Sequence, residues 1–232
     1  MEADNDILYN DGKFIFKVLN PEFKDATLVL LSRAFCTEPL VTCINENCLN
    51  NVTFLDWIEF IDYWMTTCSQ NGLSVIAIDI VNFRVAGALI VRDLVDIPDE
   101  FQSKYYKNFK SLSPWMRFLA EMDEIAIKLL NDLSFPGKAA DLWLLGVHPD
   151  YRGNYIAKNL IKFTLPLIKN AGYNYATIEA TSYFTSKAAK SNDFIVLHKF
   201  NVKDWRWRDL QIFLNVEKSH EEFIFWIKNI IT

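Results

Sequence analysis

Residues 151–157, "YRGNYIA", set an arginine and a glycine between a continuously apolar run, "LWLLGV" (142–147), and an amphipathic stretch over 153–171. A helix start presents unpaired backbone N–H groups and the positive end of the peptide dipole, so such a junction can hold an anion. Gly153 lets the backbone approach closely, and Arg152 adds a cation suited to phosphate. Tyr155 stands where a loop wrapped round an anion would be expected to hold a second glycine. The same residues also fit a plain strand–turn–helix with a surface arginine, and an isolated Arg-Gly is weak evidence on its own. His148 adjoins the junction and titrates in a useful range, although a surface turn explains it as well. His198 and His220 have no partner in the pattern, and Glu121, Asp123 and Glu124 read as a solvated helix face. Cys36, Cys43, Cys48 and Cys68 contain no C-x-x-C pair and have no histidine nearby, which argues against zinc. They read as free thiols of a reducing compartment, the cytoplasm. No Ser–His–Asp or Cys–His arrangement can be read from the chain.

The elements that must position the junction follow from periodicity. "KFIFKVL" (13–19) is an expected strand, and "PEFKDATLVLLSRAF" (21–35) a helix opened by proline. Helix 53–72 places Phe54, Trp57, Ile58, Ile61, Trp64, Met65 and Cys68 on one face, with Thr53 as cap and Gly72 at its end. Runs 73–80 and 84–91 form an expected antiparallel hairpin. After a polar stretch, helix 114–133 is capped by Ser113 and turns Phe118, Leu119, Met122, Ile125, Ala126 and Leu129 inward. Strand 142–147 is apolar throughout, as a strand covered on both faces should be. Helix 153–171, carrying Pro166, and strand 175–180 complete a βαβ unit, normally parallel and right-handed. A helix at 184–191, strands at 194–202 and 209–216, and a terminal helix at 220–230 close the expected order. The result is one α/β (mixed α+β) domain over residues 1–232, with a mixed sheet of about seven strands, antiparallel early and parallel at its centre, and helices on both faces.

Composition agrees with a large core. Of 232 residues, 51% are hydrophobic and 15% aromatic, and the net charge is −5. No Lys/Arg run is dense enough to track a nucleic acid or an anionic membrane, so neither is expected as a primary partner. The acidic start "MEADNDILYN" lacks the pattern of a signal peptide, and no apolar run approaches a membrane span.

"LLGVHPDYRGNYIAKNLIKF" resembles the coenzyme-A-binding motif of the GNAT superfamily of N-acyltransferases: a strand, V-x-P-x-Y/W, then R/Q-x-x-G-x-G/A opening a helix. Val147, Pro149, Tyr151, Arg152, Gly153, Ile156 and Ala157 agree, and Tyr155 departs. "AFCTEPL" (34–40) is similar to the F-x-x-E-P-L signature of the arylalkylamine N-acetyltransferase-like branch, matched by Phe35, Glu38, Pro39 and Leu40. In "ATSYFTSKAAKSNDF" (180–194), Thr181, Ser182, Phe184 and Thr185 answer to that branch's T-S-x-Y-S, while Asp193 replaces the glycine of K-L-G-F.

The resemblance implies that strands 142–147 and 175–180 splay apart around the pantetheine arm of acetyl-CoA, which pairs with backbone at Leu145, Gly146 and Val147. Gly146 would mark a strand distortion. The pyrophosphate would rest on N–H groups of Arg152, Gly153, Asn154, Tyr155, Ile156 and Ala157, a fit that requires Tyr155 to keep a negative φ and turn its ring outward. The implied reaction acetylates a small-molecule primary amine, an (aryl)alkylamine or polyamine, with no metal. An amine of pKa near ~10 is protonated at pH 7, so a base must take its proton. Glu38 is that base by resemblance, held extended by Pro39. A backbone N–H near Val147 would support the thioester oxygen. The hydroxyls of Thr181 and Thr185 would touch substrate or sulfur, or serve as helix caps. Ala189 and Lys190 occupy the place of the acid tyrosine many relatives carry, leaving Tyr183 as fallback. Two further readings fit: a protein N-acetyltransferase, and a non-catalytic relative that binds acyl-CoA or a partner.

Overall fold

The computed structural model describes residues 6–48, 51–68, 71–94, 110–132, 135 and 137–231. The expected helix residues 69, 70 and 133, and most of the polar stretch before Ser113, lie outside them. Eight strands form one sheet in the order β1-β2-β3-β4-β5-β6-β8-β7. They are β1 (Ile7–Asn10), β2 (Phe14–Val18), β3 (Val75–Asp79), β4 (Val85–Asp93), β5 (Ala139–Val147), β6 (Tyr175–Ala180), β7 (Ile195–Asn201) and β8 (Glu222–Asn229). Among the described residues six α-helices accompany them: α1 (Lys24–Cys36), α2 (Pro39–Asn47), α3 (Phe54–Cys68), α4 (Ser113–Asp132), α5 (Ile156–Asn170) and α6 (Tyr183–Lys190). The helices α1–α4 supply one apolar cluster on one face, with Leu31, Trp57, Phe60 and Phe118 fully buried. The helices α5 and α6 pack on the other through Ile156, Leu160, Ile168 and Ala189. Among the described residues no single helix is long and apolar enough to cross a membrane.

Among the described residues all strand pairings but one are antiparallel. The exception joins β5 to β6 through only Ala139↔Tyr175, Ala140↔Ala176 and Asp141↔Thr177. Past Asp141, β5 stays with β4 as far as Val147, while β6 follows β8 as far as Ala180. The expected splay is therefore present, and its base is pinned by a buried ion pair. Arg92 Nε donates to Asp141 at 2.8 Å, and Thr177 Oγ1 lies 3.2 Å from the other Asp141 oxygen. Arg92 also reaches Asp123 of α4 at 2.6 Å and lies 3.6 Å from the Trp143 ring centre. Asp123 is thus no part of a solvated face. Glu121 next to it pairs with Arg117 and receives the Trp205 indole N–H.

The expected terminal helix 220–230 is instead β8, inserted between β6 and β7. Phe223, Ile224, Phe225, Trp226 and Ile227 are all buried, because the strand has neighbours on both edges and layers on both faces. The expected strand 209–216 is irregular: Trp207 and Leu210 form an isolated bridge, and turns place Ile212, Phe213 and Val216 in the core. The strand distortion also falls elsewhere than expected. Gly146 pairs in register with Ala88, and the irregularity lies at Trp143, skipped between Ile90↔Leu144 and Val91↔Leu142. Gly146 answers to packing: a Cβ there would meet Leu31 Cδ2 at 2.8 Å, so glycine lets α1 lie against β5.

Candidate active site

The turn from β5 into α5 is built by Pro149–Tyr151 as one 3-10 turn. Tyr151 anchors it, its hydroxyl donating to Asp79 Oδ2 at 2.7 Å, and this bond with Asn82 holds the Asp79 carboxyl down at about 2. His148 is spent on the same turn, its Nδ1 accepting from Asp150 N–H at 3.3 Å. Arg152 is extended, Gly153 has φ +82°, and Tyr155 has φ +57°. The first helical hydrogen bond runs from Asn159 N–H to Tyr155 C=O at 3.0 Å, so the N–H groups before it point out of the helix end. Asn154 braces the loop, accepting from Lys13 Nζ at 2.6 Å and donating to Tyr151 C=O at 2.9 Å.

Tyr155 departs from the expected negative φ. It keeps the left-handed backbone that the missing glycine would supply, at a cost of ~1–2 kcal/mol for an L-residue. Tyr155 is 75% exposed. The same has happened at Asp193, φ +59°, which ends α6 where the related pattern has glycine. Both substitutions keep the chain path and change only what projects from it.

Along β5, His148 N–H donates to Ala86 C=O at 2.9 Å, which directs the polar groups of that residue toward β4. Strand alternation then turns the N–H and C=O of Val147 and Leu145 toward the opening between β5 and β6. A cleft of about 370 Å³ borders the turn, lined by Arg33, Thr37, Phe54, Val147, His148 and Arg152 among others. Two arginines in its lining, Arg33 and Arg152, favour an anionic ligand there.

On the α1–α4 face, Pro39 opens α2 and holds Glu38 extended at ψ 131°, with Glu38 C=O accepting from Thr42 N–H at 3.0 Å. The side chain makes no cap and turns inward. Burial pushes the Glu38 carboxyl up to about 7, partly offset by a hydrogen bond with the Thr181 side chain. Oxygen Oε1 is buried with no hydrogen-bond partner. His220 stands opposite, Nε2 3.9 Å from Oε2, with Ser219 Oγ 2.9 Å from its Nδ1. Burial lowers the imidazole pKa, so it favours the neutral form. The structure therefore joins Glu38 to Thr181 and adds His220, which sequence periodicity had placed on a helix. Thr181 is not a cap: Ser182 takes that role, accepting from Thr185 N–H at 3.2 Å. The Thr185 hydroxyl lies 3.0 Å from Ser182 Oγ and belongs to that cap rather than to the carboxyl. Tyr183 is 58% exposed at the start of α6.

A mixed sheet that opens between its one parallel pair, with a helix N-terminus above the opening, defines the GNAT N-acetyltransferase fold, and this chain has it. Arylalkylamine N-acetyltransferase 2 from Aedes aegypti is 21% identical, with a TM-score of 0.76 over 95% of this chain and 100% of that one. The polyamine N-acetyltransferase of Drosophila melanogaster, described as forming N-acetylagmatine, is 14% identical, with a TM-score of 0.72 over 94% and 100%. A putative acetyltransferase of Salmonella typhimurium, solved with its cofactor acetyl-CoA, is 11% identical, with a TM-score of 0.54 over 94% and 95%. No protein-family model matches the chain, and no curated protein sequence matches it.

Proposed function

We propose that the protein is an acetyl-CoA-dependent N-acetyltransferase that acts on a small primary amine, an arylalkylamine or a polyamine, by direct transfer. The observation that carries this reading is Glu38: a buried carboxyl with an unpartnered oxygen and a pKa near 7, beside the opening between β5 and β6. A base poised near neutrality both holds and releases a proton at working pH. The coenzyme fits the backbone on offer. Its pyrophosphate would rest on the N–H groups of residues 152–157 with Arg152 beside it, and its arm along Leu145, Gly146 and Val147.

In the reaction, Glu38 takes one proton from the ammonium. The amine nitrogen attacks the thioester carbonyl carbon, and Val147 N–H supports the oxygen as charge develops there. The C–S bond breaks and coenzyme A leaves as thiolate, which takes up the second amine proton as it is lost from the new amide nitrogen, while Glu38, fixed by Thr181, returns the first proton to solvent. The relatives named above support the class of acceptor, and the left-handed backbone kept at Tyr155 and Asp193 answers two of the three departures that favour a non-catalytic relative, the third being the absence of an acid tyrosine at Ala189 and Lys190. Thiol release from acetyl-CoA, measured over a panel of primary amines, tests the proposal. Transfer to at least one amine is expected. Micromolar coenzyme A binding without turnover on any amine would favour a binding protein, and no binding would reject coenzyme use altogether.

A further inference from the structure

Thr177 and Glu179 share one face of β6, because alternate residues of a strand share a face, and Thr181 follows directly after the strand's last residue, Ala180. Thr177 is held at Asp141 and Thr181 at Glu38. Between them, both oxygens of Glu179 are buried and have no hydrogen-bond partner. Glu179 also lies past the last β5–β6 rung, so this part of the strand borders the opening. Three carboxyl groups, Asp123, Asp141 and Glu179, surround the single cation Arg92, whose N–H groups go to the two aspartates. Trp143, against Arg92, has its indole N–H buried without an acceptor. Burial, then Asp123 and Asp141, raise the Glu179 pKa well above the carboxylate range. A buried carboxyl whose nearby cation, Arg92, is already taken up by two aspartates is costly, and a cationic ligand group supplies a donor and further positive charge.

We propose that Glu179, with Asp123 behind it, receives a second ammonium, and that the acceptor is a short α,ω-diamine whose reacting nitrogen lies at Glu38. This rests on the acetyl-transfer reading above. Thr181 lies two residues beyond Glu179, ~6.6 Å for extended chain, and ammonium groups held beside the two positions suit a diamine with four or five methylenes. The ammonium transfers no proton; it pairs with the carboxylate once Glu179 ionises, and arylalkylamines leave that position without a partner.

The test compares butylamine, 1,4-diaminobutane and 1,5-diaminopentane as acceptors for the wild type and Glu179→Gln, which keeps size and removes charge. In the wild type, kcat/KM for the diamines exceeds that for butylamine at least tenfold. In Glu179→Gln the loss on diamines exceeds the loss on butylamine at least tenfold. Equal kcat/KM for mono- and diamines in the wild type, or equal losses in the variant, overturns the subsite. Calorimetry separates this from failure of the reaction itself. If no amine turns over, diaminobutane binding that weakens tenfold in Glu179→Gln upholds the subsite and rejects the chemistry, whereas binding unaffected by the substitution rejects the subsite.

Discussion

The two sides of the opening between β5 and β6 are built from different materials. On the α5 side, the loop at 152–157 offers backbone N–H groups at a helix start, near solvent. On the α1–α4 side, Glu38, Thr181, Glu179 and His220 offer buried side chains. Backbone binding depends on φ and ψ, so the loop accepts tyrosine for glycine provided that the left-handed path survives. A buried carboxyl depends on its own atoms, and a substitution there removes the group outright. One side of the site therefore tolerates change in sequence and the other does not.

The largest expected effect breaks the buried side. Glu38→Gln should lower kcat by about 100-fold or more, the usual range for loss of a general base, while the coenzyme A dissociation constant moves less than threefold. Comparable losses in both would show that Glu38 holds the fold of the site rather than the proton. On the backbone side the effects shrink. Arg152→Ala removes one exposed cation from a site otherwise made of N–H groups, so coenzyme A should bind about three- to tenfold more weakly with kcat nearly unchanged. Calorimetry with coenzyme A reads it directly, and a loss beyond a hundredfold would mean that side chains, not backbone, form the cradle.

The smallest effect sharpens the contrast. Tyr155→Gly should relieve backbone strain and raise stability by up to about 1 kcal/mol, after the entropy cost of glycine, and leave coenzyme affinity within threefold. Asp193→Gly should gain less in the same denaturation experiment, because aspartate tolerates φ > 0 better than an aromatic residue. A clear destabilisation by Tyr155→Gly would show that the exposed ring makes contacts the account assigns to none.

The sequence displays the backbone side well and the buried side poorly, for physical reasons. A strand, a turn with Arg-Gly and an amphipathic helix are local signals, so β5, α5 and β6 can be read within a few residues of their ends. Glu38 is singled out by the resemblance of "AFCTEPL" to a family signature, since a glutamate held extended before Pro39 is by itself no more than a solvated residue after a helix. Glu179 and His220 carry no local signal, since their partners Asp123, Asp141 and Glu38 are brought close only by the sheet order. His220 is further hidden because β8 is a continuous apolar run, "FIFWI", whose length and composition suit a buried strand or a helix equally. The nine residues of α2, closed by "NENC", are too short and too polar at their end to show a clear helical stripe. The run 209–216 has the composition of a strand, but Ile212, Phe213 and Val216 are buried from turns. Tyr155 runs against steric expectation: a bulky residue at positive φ is rare, and here the anchored Tyr151 turn and the start of α5 impose it.

The dependence of kcat/KM on pH, measured for the wild type and Glu38→Gln, tests the central claim most directly. A carboxyl raised to about 7 acts as a base only above that value. Wild-type kcat/KM should therefore fall as pH drops through about 7, with an added tenfold per unit below it, and the variant should be slow and lack that limb. A wild-type rate that stays level from pH 8 to pH 5, or a variant that keeps the same limb, would contradict Glu38 as the group that takes the proton from the amine.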